Sequence, residues 1–255
     1  MKNLKISSVL LIIFVTIFSC GSNDSDITNN EEINQTVYNI TPILSKFDNV
    51  EGVSYSVKGD YVEILTNGLP DHKSPYWGQG NAMYETYNGT NPNWHQNPNL
   101  IKTQTITLTI PLYPKEATNK QATNLGSIGV SINGVPFYNQ YAGPNNQPLT
   151  NEIDSFDQYL GHPQQSGQYH YHQEPLYITN KVGKSGFLGL LADGFPVYGS
   201  QENGSTITSD DLDVYHGHIS ATPDFPNGIY HYHITSDGPY INGNGYYGLP
   251  GTITQ

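Results

Sequence analysis

Nine histidines stand in this 255-residue chain, and six of them fall into a doubled pattern. Tyr169-His170-Tyr171-His172 and Tyr230-His231-Tyr232-His233 are two copies of one alternating string. In an extended strand, residues i and i+2 share a face, so His170 and His172 project together while Tyr169 and Tyr171 take the other side. His231 and His233 separate from Tyr230 and Tyr232 in the same way. Neutral imidazole is the commonest metal ligand. A His-x-His pair on a strand holds two of them close enough to share one ion. A Gly-His dipeptide precedes each string, Gly161-His162 and Gly217-His218, and would supply a third imidazole from a loop. The glycine lets the backbone come close or take positive φ. His216 faces Leu160 in the other copy and ranks below the six matched histidines.

With 20 Tyr and nine His among 255 residues, compositional independence expects on the order of 0.002 such strings. Two in register are no accident. Collecting imidazoles costs desolvation and mutual repulsion unless something binds them. That favours a metal site over a purely structural His-Tyr network, and both readings stay open here. Met1 and Met83 are the only methionines, so soft Cu(I) chemistry is disfavoured. A transition metal ion fits, copper(II) or zinc foremost, with iron(II) and nickel(II) compatible. The expected load is one ion per pair of copies. Asp157, Asp193, Asp213 and Glu174 lie near in sequence as orienting groups or extra ligands. Tyr169, Tyr171, Tyr230 and Tyr232 are expected as core and hydrogen-bond anchors for the site.

The strings belong to a longer repeat of roughly 60 residues. Leu125-Gly126-Ser127-Ile128-Gly129 through Asn133-Gly134-Val135-Pro136-Phe137-Tyr138 aligns with Ser185-Gly186-Phe187-Leu188-Gly189 through Asp193-Gly194-Phe195-Pro196-Val197-Tyr198. Each copy reads strand, Asn/Asp-Gly turn, apolar-Pro, variable loop, Gly-His, then the alternating string. Two such units are expected to pair about a pseudo-twofold axis, each covering the other's apolar face. Before them, Tyr61 to Thr66 leads into the turn pair Asn67-Gly68, and Thr105 to Ile110 alternates polar with apolar, as half-buried strands do. Lys115 to Gln121 reads as a polar connection. Helical signals are brief, near Ile43–Phe47 and Ile153–Tyr159. The expected fold is all-β, mainly antiparallel strands with long loops. Residues 36–255 make one domain: a strand-rich part at 36–120, a first unit at 125–184 and a second at 185–245.

Lys2 and Lys5 precede the apolar run Val9 to Phe18, and Phe18-Ser19-Cys20-Gly21 follows. This is a secretory signal's layout, too short to span a bilayer, and its end resembles a bacterial lipobox. Residues 1–19 are then a lipoprotein signal peptide, Cys20 the lipidated residue, and residues 20–35 a flexible acidic tether with too little apolar surface to order itself. The signal holds two of the 10 Lys, leaving eight basic against 22 acidic groups and a net charge of −14. With no Arg and this balance, nucleic acid is excluded as a partner. The expected partner is the membrane, through the lipid on Cys20. The expected location is the cell envelope of a Gram-negative bacterium, as an outer-membrane lipoprotein, with surface exposure suggested by the acidic residues after Cys20.

The doubled Gly-His and Tyr-His-Tyr-His, with Asp193-Gly194-Phe195-Pro196-Val197-Tyr198-Gly199 between them, closely resembles the YHYH protein family. Asn67-Gly68-Leu69-Pro70-Asp71-His72, Asn97-Pro98-Asn99, Ile110 to Pro114 and Pro239-Tyr240-Ile241 look like family segments too, so the resemblance runs over roughly residues 45 to 250. It implies a secreted or envelope-associated protein and promotes His72 to a seventh candidate ligand; His95 keeps the reading of an exposed loop residue. Members often carry Cys near the Gly-His, and this chain has none there. Three functions compete on these grounds. One is a metal-binding envelope lipoprotein for sequestration or delivery. Another is an extracytoplasmic metalloenzyme, hydrolase or oxidase, with Asp193 or Glu174 as base. The third is a surface-interaction or structural module in which Tyr, Trp77 and Trp94 meet partners and the His only brace strands. No Gly-x-Ser-x-Gly elbow supports serine catalysis. A small-molecule or protein partner is not specified.

Overall fold

Alternating side chains explain the first sheet. A computed structural model describes residues 35–255; the apolar run, Cys20 and the tether up to residue 34 lie outside the described residues. Helix α1 (Thr41–Leu44) runs into a 3-10 turn at Ser45–Phe47 and buries Ile43, Leu44 and Phe47, close to where a short helix was expected. Strands β1 (Val53–Lys58) and β2 (Tyr61–Thr66) form a hairpin, and β3 (Ile106–Pro111) pairs on β2. Val62, Ile64 and Thr66 point inward from β2, and Ile106, Leu108 and Ile110 from β3. Lys115–Gln121 departs from the expected connection, because Glu116–Gln121 is a strand, β4. Only Ala117 of it is buried, so it has no core face to announce it.

The first repeat unit then contributes β5 (Ser127–Ser131), β6 (Pro136–Tyr138), the small ribbon β7 (Tyr141–Ala142) and β8 (Gln147–Pro148), β9 (Gly161–Pro163) and β10 (Tyr169–Tyr171). Helix α2 (Leu176–Val182) follows, between Pro175 and a positive-φ Gly183, with Ile178 and Thr179 buried. The sequence signal for a helix at Ile153–Tyr159 yields only a 3-10 turn at Ile153–Ser155. The second unit contributes β11 (Phe187–Leu191), β12 (Pro196–Tyr198), the ribbon β13 (Gln201–Glu202) and β14 (Ser205–Thr206), β15 (Gly217–Ser220) and β16 (Ile229–His233). Last come β17 (Tyr246–Gly248), which pairs with β4, and β18 (Thr252–Thr254), which closes the first sheet against β3.

Eight strands from the two units form one sheet in the order β15-β16-β12-β11-β5-β6-β10-β9. Outward from the centre, each half shows the same succession of corresponding strands. Its middle is the antiparallel pair β5–β11, in which Val130 faces Leu190 and Gly129 and Gly189 flank them. A Cβ at Gly129 would sit 2.3 Å from the Leu190 carbonyl oxygen, and one at Gly189 2.2 Å from that of Val130. Glycine at these matched positions is therefore what lets the two units close on each other. Antiparallel pairing dominates, but β6–β10 and β12–β16 are parallel, since a loop carries the chain back before each Tyr-His-Tyr-His string. Apolar side chains of both sheets, including Val62, Ile64, Leu108, Val130, Leu190 and Tyr232, meet in one core cluster.

The central pair generates a stability prediction. Gly189→Ala must displace backbone atoms in the middle of the eight-stranded sheet, which costs about 1–3 kcal/mol. Thermal unfolding should show a Tm lower by several degrees, and an unchanged Tm would contradict the close approach.

Candidate metal centres

Two tight turns deliver the third imidazole of each set. Asp157 N–H donates to Gly161 O at 2.9 Å, and Asp213 N–H to Gly217 O at 3.0 Å. The residues just before the glycines, Leu160 and His216, take positive φ of 63° and 76°. The glycines themselves are needed for space, since a Cβ at Gly161 would lie 2.4 Å from the Tyr169 ring and one at Gly217 2.5 Å from the Tyr230 hydroxyl. The turns set β9 against β10 with His162 opposite His170, and β15 against β16 with His218 opposite His231.

The result is two separate groups whose ligand atoms lie within 4.8 Å of one another: His162, His170 and His172 in one, Glu202, His218, His231 and His233 in the other. They sit at the two ends of the eight-stranded sheet, with roughly 24 Å between β10 and β16 at about 4.8 Å per strand step. One ion shared between the copies is thereby ruled out; each copy builds its own centre.

Hydrogen bonds on the far side of each ring decide what the near side offers. Nδ1 of His170 faces Gln168 O at 3.1 Å and Nδ1 of His172 faces Asn139 O at 2.6 Å. In the second group, Nδ1 of His231 faces Ile229 O at 3.0 Å and Nδ1 of His233 faces Gly199 O at 2.7 Å. A carbonyl only accepts, so each Nδ1 carries the proton and each Nε2 keeps a lone pair. Those lone pairs then meet head on: Nε2 to Nε2 is 3.1 Å between His170 and His172, and 3.0 Å between His231 and His233. Two ligands on one tetrahedral ion with metal–nitrogen bonds near 2.0–2.1 Å stand about 3.3 Å apart. Nε2 of His162 and of His218 are buried with no hydrogen-bond partner among the described residues. His162 is held from behind by Ser155 Oγ at 2.7 Å from its Nδ1.

A proton is a poor occupant of these sites. Burial, with the neighbouring imidazoles adding to it, pushes His162 and His231 down to about 3 and holds His170 well below its ordinary value. Burial also lowers His172 to about 4, and His233 in the same direction. A desolvated neutral ring can still bind a metal ion, whose charge returns more than the proton's in the same place.

Each group has a carboxylate that sequence spacing did not single out. Glu202 Oε2 lies 3.4 Å from His218 Nε2, and its Oε1 3.7 Å from His231 Nε2. Ser220 donates to Glu202 and fixes it. Glu152 Oε2 lies 3.6 Å from His162 Nε2 and 3.7 Å from His172 Nε2. Burial raises the Glu152 carboxyl. Glu152 comes from a loop and Glu202 from the ribbon strand β13, and no repeated motif points to either.

The carboxylates that were expected near the imidazoles are on the other face of the strands. Asp157 accepts from Tyr169 Oη at 2.8 Å and from Ser74 Oγ at 2.6 Å; Asp213 accepts from Tyr230 Oη at 2.9 Å. Asp193 accepts from Tyr232 Oη at 2.7 Å and from Gly248 N at 2.9 Å, and Asn133 at the corresponding turn donates to Tyr171 Oη at 3.3 Å. These groups anchor the tyrosines, which point away from the histidines by strand alternation. Burial raises Asp157, and raises Asp193 to about 6. Glu174 has a buried Oε1 with no partner among the described residues and belongs to neither group.

His72 is not brought to either centre. It packs on the tyrosine face, with Nε2 3.1 Å from Tyr171 Oη and its ring between Tyr159 and Tyr177 at 4.5 and 5.0 Å. His216 bonds Thr235 Oγ1 at 3.0 Å and is lowered to about 4 by burial. His95, by contrast, is exposed and lines the mouth of a cavity of about 620 Å³ that also touches His162, His170 and His172. Trp94 stacks on Tyr87 at 4.3 Å, and the Trp77 indole N–H donates to His72 O at 3.0 Å. Both indoles are thus engaged within the chain.

The YHYH protein family model matches residues 107–210 and 200–245, which span both histidine groups. That is more than half of the chain, and the chain belongs to this family. No curated protein and no solved structure matches it.

Titration of the buried rings fixes how acid acts on the metal-free protein. Seven imidazoles are pushed down by burial (His72, His162, His170, His172, His216, His231 and His233). The unfolded chain, with His near 6.5, therefore binds more protons below that pH, and stability is lost as pH falls from about 6.5 toward 3. Three raised carboxyls, Glu152, Asp157 and Asp193, act in the opposite sense, Asp193 from about pH 6 downward, and are outnumbered. Denaturant midpoints of the metal-free protein should be lower at pH 5 than at pH 7.5. A higher midpoint at pH 5 would show that these rings are not buried neutral.

Proposed function

We propose that this chain is an envelope-anchored lipoprotein whose YHYH domain binds transition metal ions, copper(II) or zinc, at two histidine centres and serves in metal sequestration or delivery. The observation that carries the reading is the convergence of imidazole lone pairs: Nε2 atoms 3.1 and 3.0 Å apart, with the opposite ring nitrogens committed to carbonyl oxygens. A structural His-Tyr network would turn one ring so that an N–H met a lone pair. Four rings held against that arrangement, plus two orphaned Nε2 atoms, speak for a cation. The donor set is nitrogen with one flanking carboxylate per centre, which suits borderline divalent ions.

The anchoring half rests on Lys2, Lys5, the run Val9 to Phe18 and Cys20, which together support a lipidated chain in a Gram-negative envelope, at the outer membrane. A second reading, an extracytoplasmic metalloenzyme, is favoured by one feature, the cavity of about 620 Å³ over the first centre. That volume falls in the range of small-molecule sites.

Protein purified without chelator should carry two transition-metal ions per chain by elemental analysis. His170→Ala/His172→Ala and His231→Ala/His233→Ala should each retain about one, with the fold intact by circular dichroism. A wild-type protein that takes up no zinc or copper on titration would sink the proposal.

A further inference from the structure

The two centres are built alike from histidine and differently from everything else. Glu202 lies in the ribbon strand β13, and the same place in the first unit, on β7, is Ala142. In the second centre Glu202 is one of four groups whose ligand atoms all lie within 4.8 Å, the number of protein donors a closed four-coordinate site takes. In the first centre Ala142 has nothing to offer. Glu152 approaches from elsewhere, beside His162 and His172, and stays outside the set that includes His170.

The surroundings differ in the same direction. His231, His233 and Glu202 face a hollow of about 280 Å³, while His162, His170 and His172 face the cavity of about 620 Å³. The larger cavity is walled by carboxamides such as Asn97, Asn99 and Gln164, by Tyr138 and Tyr141, and, among the described residues, by no Lys or Arg. Tyr138 stacks flat on His170 at 3.8 Å, which pins that ring.

We propose that the Ala142/Glu202 difference makes the second centre closed and the first open, with the first centre's fourth coordination position facing the cavity and receiving a small oxygen-donor molecule. The absence of Lys and Arg from the walls, with Glu152 beside the imidazoles, limits that molecule to at most one negative charge, and its hydroxyl or amide groups meet the carboxamides. The inference rests on the metal reading above and specifies what the first centre's ion is for.

Cobalt(II) as the bound metal and azide as the probe test it on the purified chain. With two cobalt ions bound, azide should shift the visible absorption of about half the cobalt. The responsive half should vanish in His170→Ala/His172→Ala, whose remaining ion ignores azide. Glu202→Ala should make both ions responsive, and Ala142→Glu should silence the first. Two bound ions that answer azide alike, or that both ignore it, overturn this inference and leave metal binding standing. Failure to bind cobalt at all overturns the metal reading and this inference with it. The half-response in the wild-type protein needs no variant, so a substitution that fails to fold does not decide the matter.

Discussion

Four backbone carbonyls govern the chemistry of this protein. Gln168, Asn139, Ile229 and Gly199 each present an oxygen to a histidine Nδ1, and that choice of acceptor leaves four Nε2 lone pairs facing one another in pairs. Without the carbonyls, either ring of a pair could turn or change tautomer and make an ordinary N–H to N hydrogen bond. With them, the two lone pairs of each pair face one another with no proton between them. The carbonyls sit where they do because the strands do. Asn139 and Gly199 follow the third strand from each edge, β6 and β12, whose parallel pairing with β10 and β16 places those carbonyls beside the second histidine of each string.

The eight-stranded sheet keeps two chemistries apart by alternation alone. Tyr169, Tyr171, Tyr230 and Tyr232 are fully buried on one face, and each hydroxyl is tied to Asp157, Asn133, Asp213 or Asp193. A hydrogen bond to a charged group contributes about 1.5–3 kcal/mol, so the three aspartate pairs, with the neutral Asn133 bond beside them, stiffen the strands from behind. The imidazoles stand on the opposite face with their rings pinned by aromatic contact, His170 against Tyr138 and His231 against Tyr198. The proposed metal role would need its ligands held still in advance, and the tyrosine network holds the histidine strands from behind. It also explains why Asp157, Asp193 and Asp213 are not beside the imidazoles: they bond the tyrosine hydroxyls on the other face.

The strands and the two Tyr-His-Tyr-His strings were legible because each has a short-range signature. Alternation in Ile106 to Ile110 and in the two Tyr-His-Tyr-His strings translates directly into faces, and Gly-His marks a turn. The rest depends on contacts between distant segments. Nothing near Glu152 or Glu202 announces a partner of histidine: Glu152 arrives on a loop, and Glu202 stands on a ribbon strand whose matching residue in the other copy is Ala142. β4 has one buried residue and no apolar period, so its pairing with β17 is set by the partner strand. His72 shows the reverse error. Its place in a family-like segment suggested a ligand, while its ring joins an aromatic cluster with Tyr159, Tyr169 and Tyr177 on the tyrosine face. The single-ion stoichiometry failed for a topological reason: two units that pair through β5 and β11 put their histidine strands at opposite ends.

The central claim is that Nε2 of His170, His172, His231 and His233 is an unprotonated, metal-seeking nitrogen in the resting protein. Long-range proton–nitrogen correlation NMR on the ¹⁵N-histidine-labelled, metal-free chain at pH 7.5 reads the tautomer of each ring. The account predicts the Nδ1–H form for all four, with their Nε2 resonances moving on addition of zinc while Nδ1 stays protonated. Rings found in the Nε2–H form, or Nε2 resonances that zinc leaves in place, would contradict it.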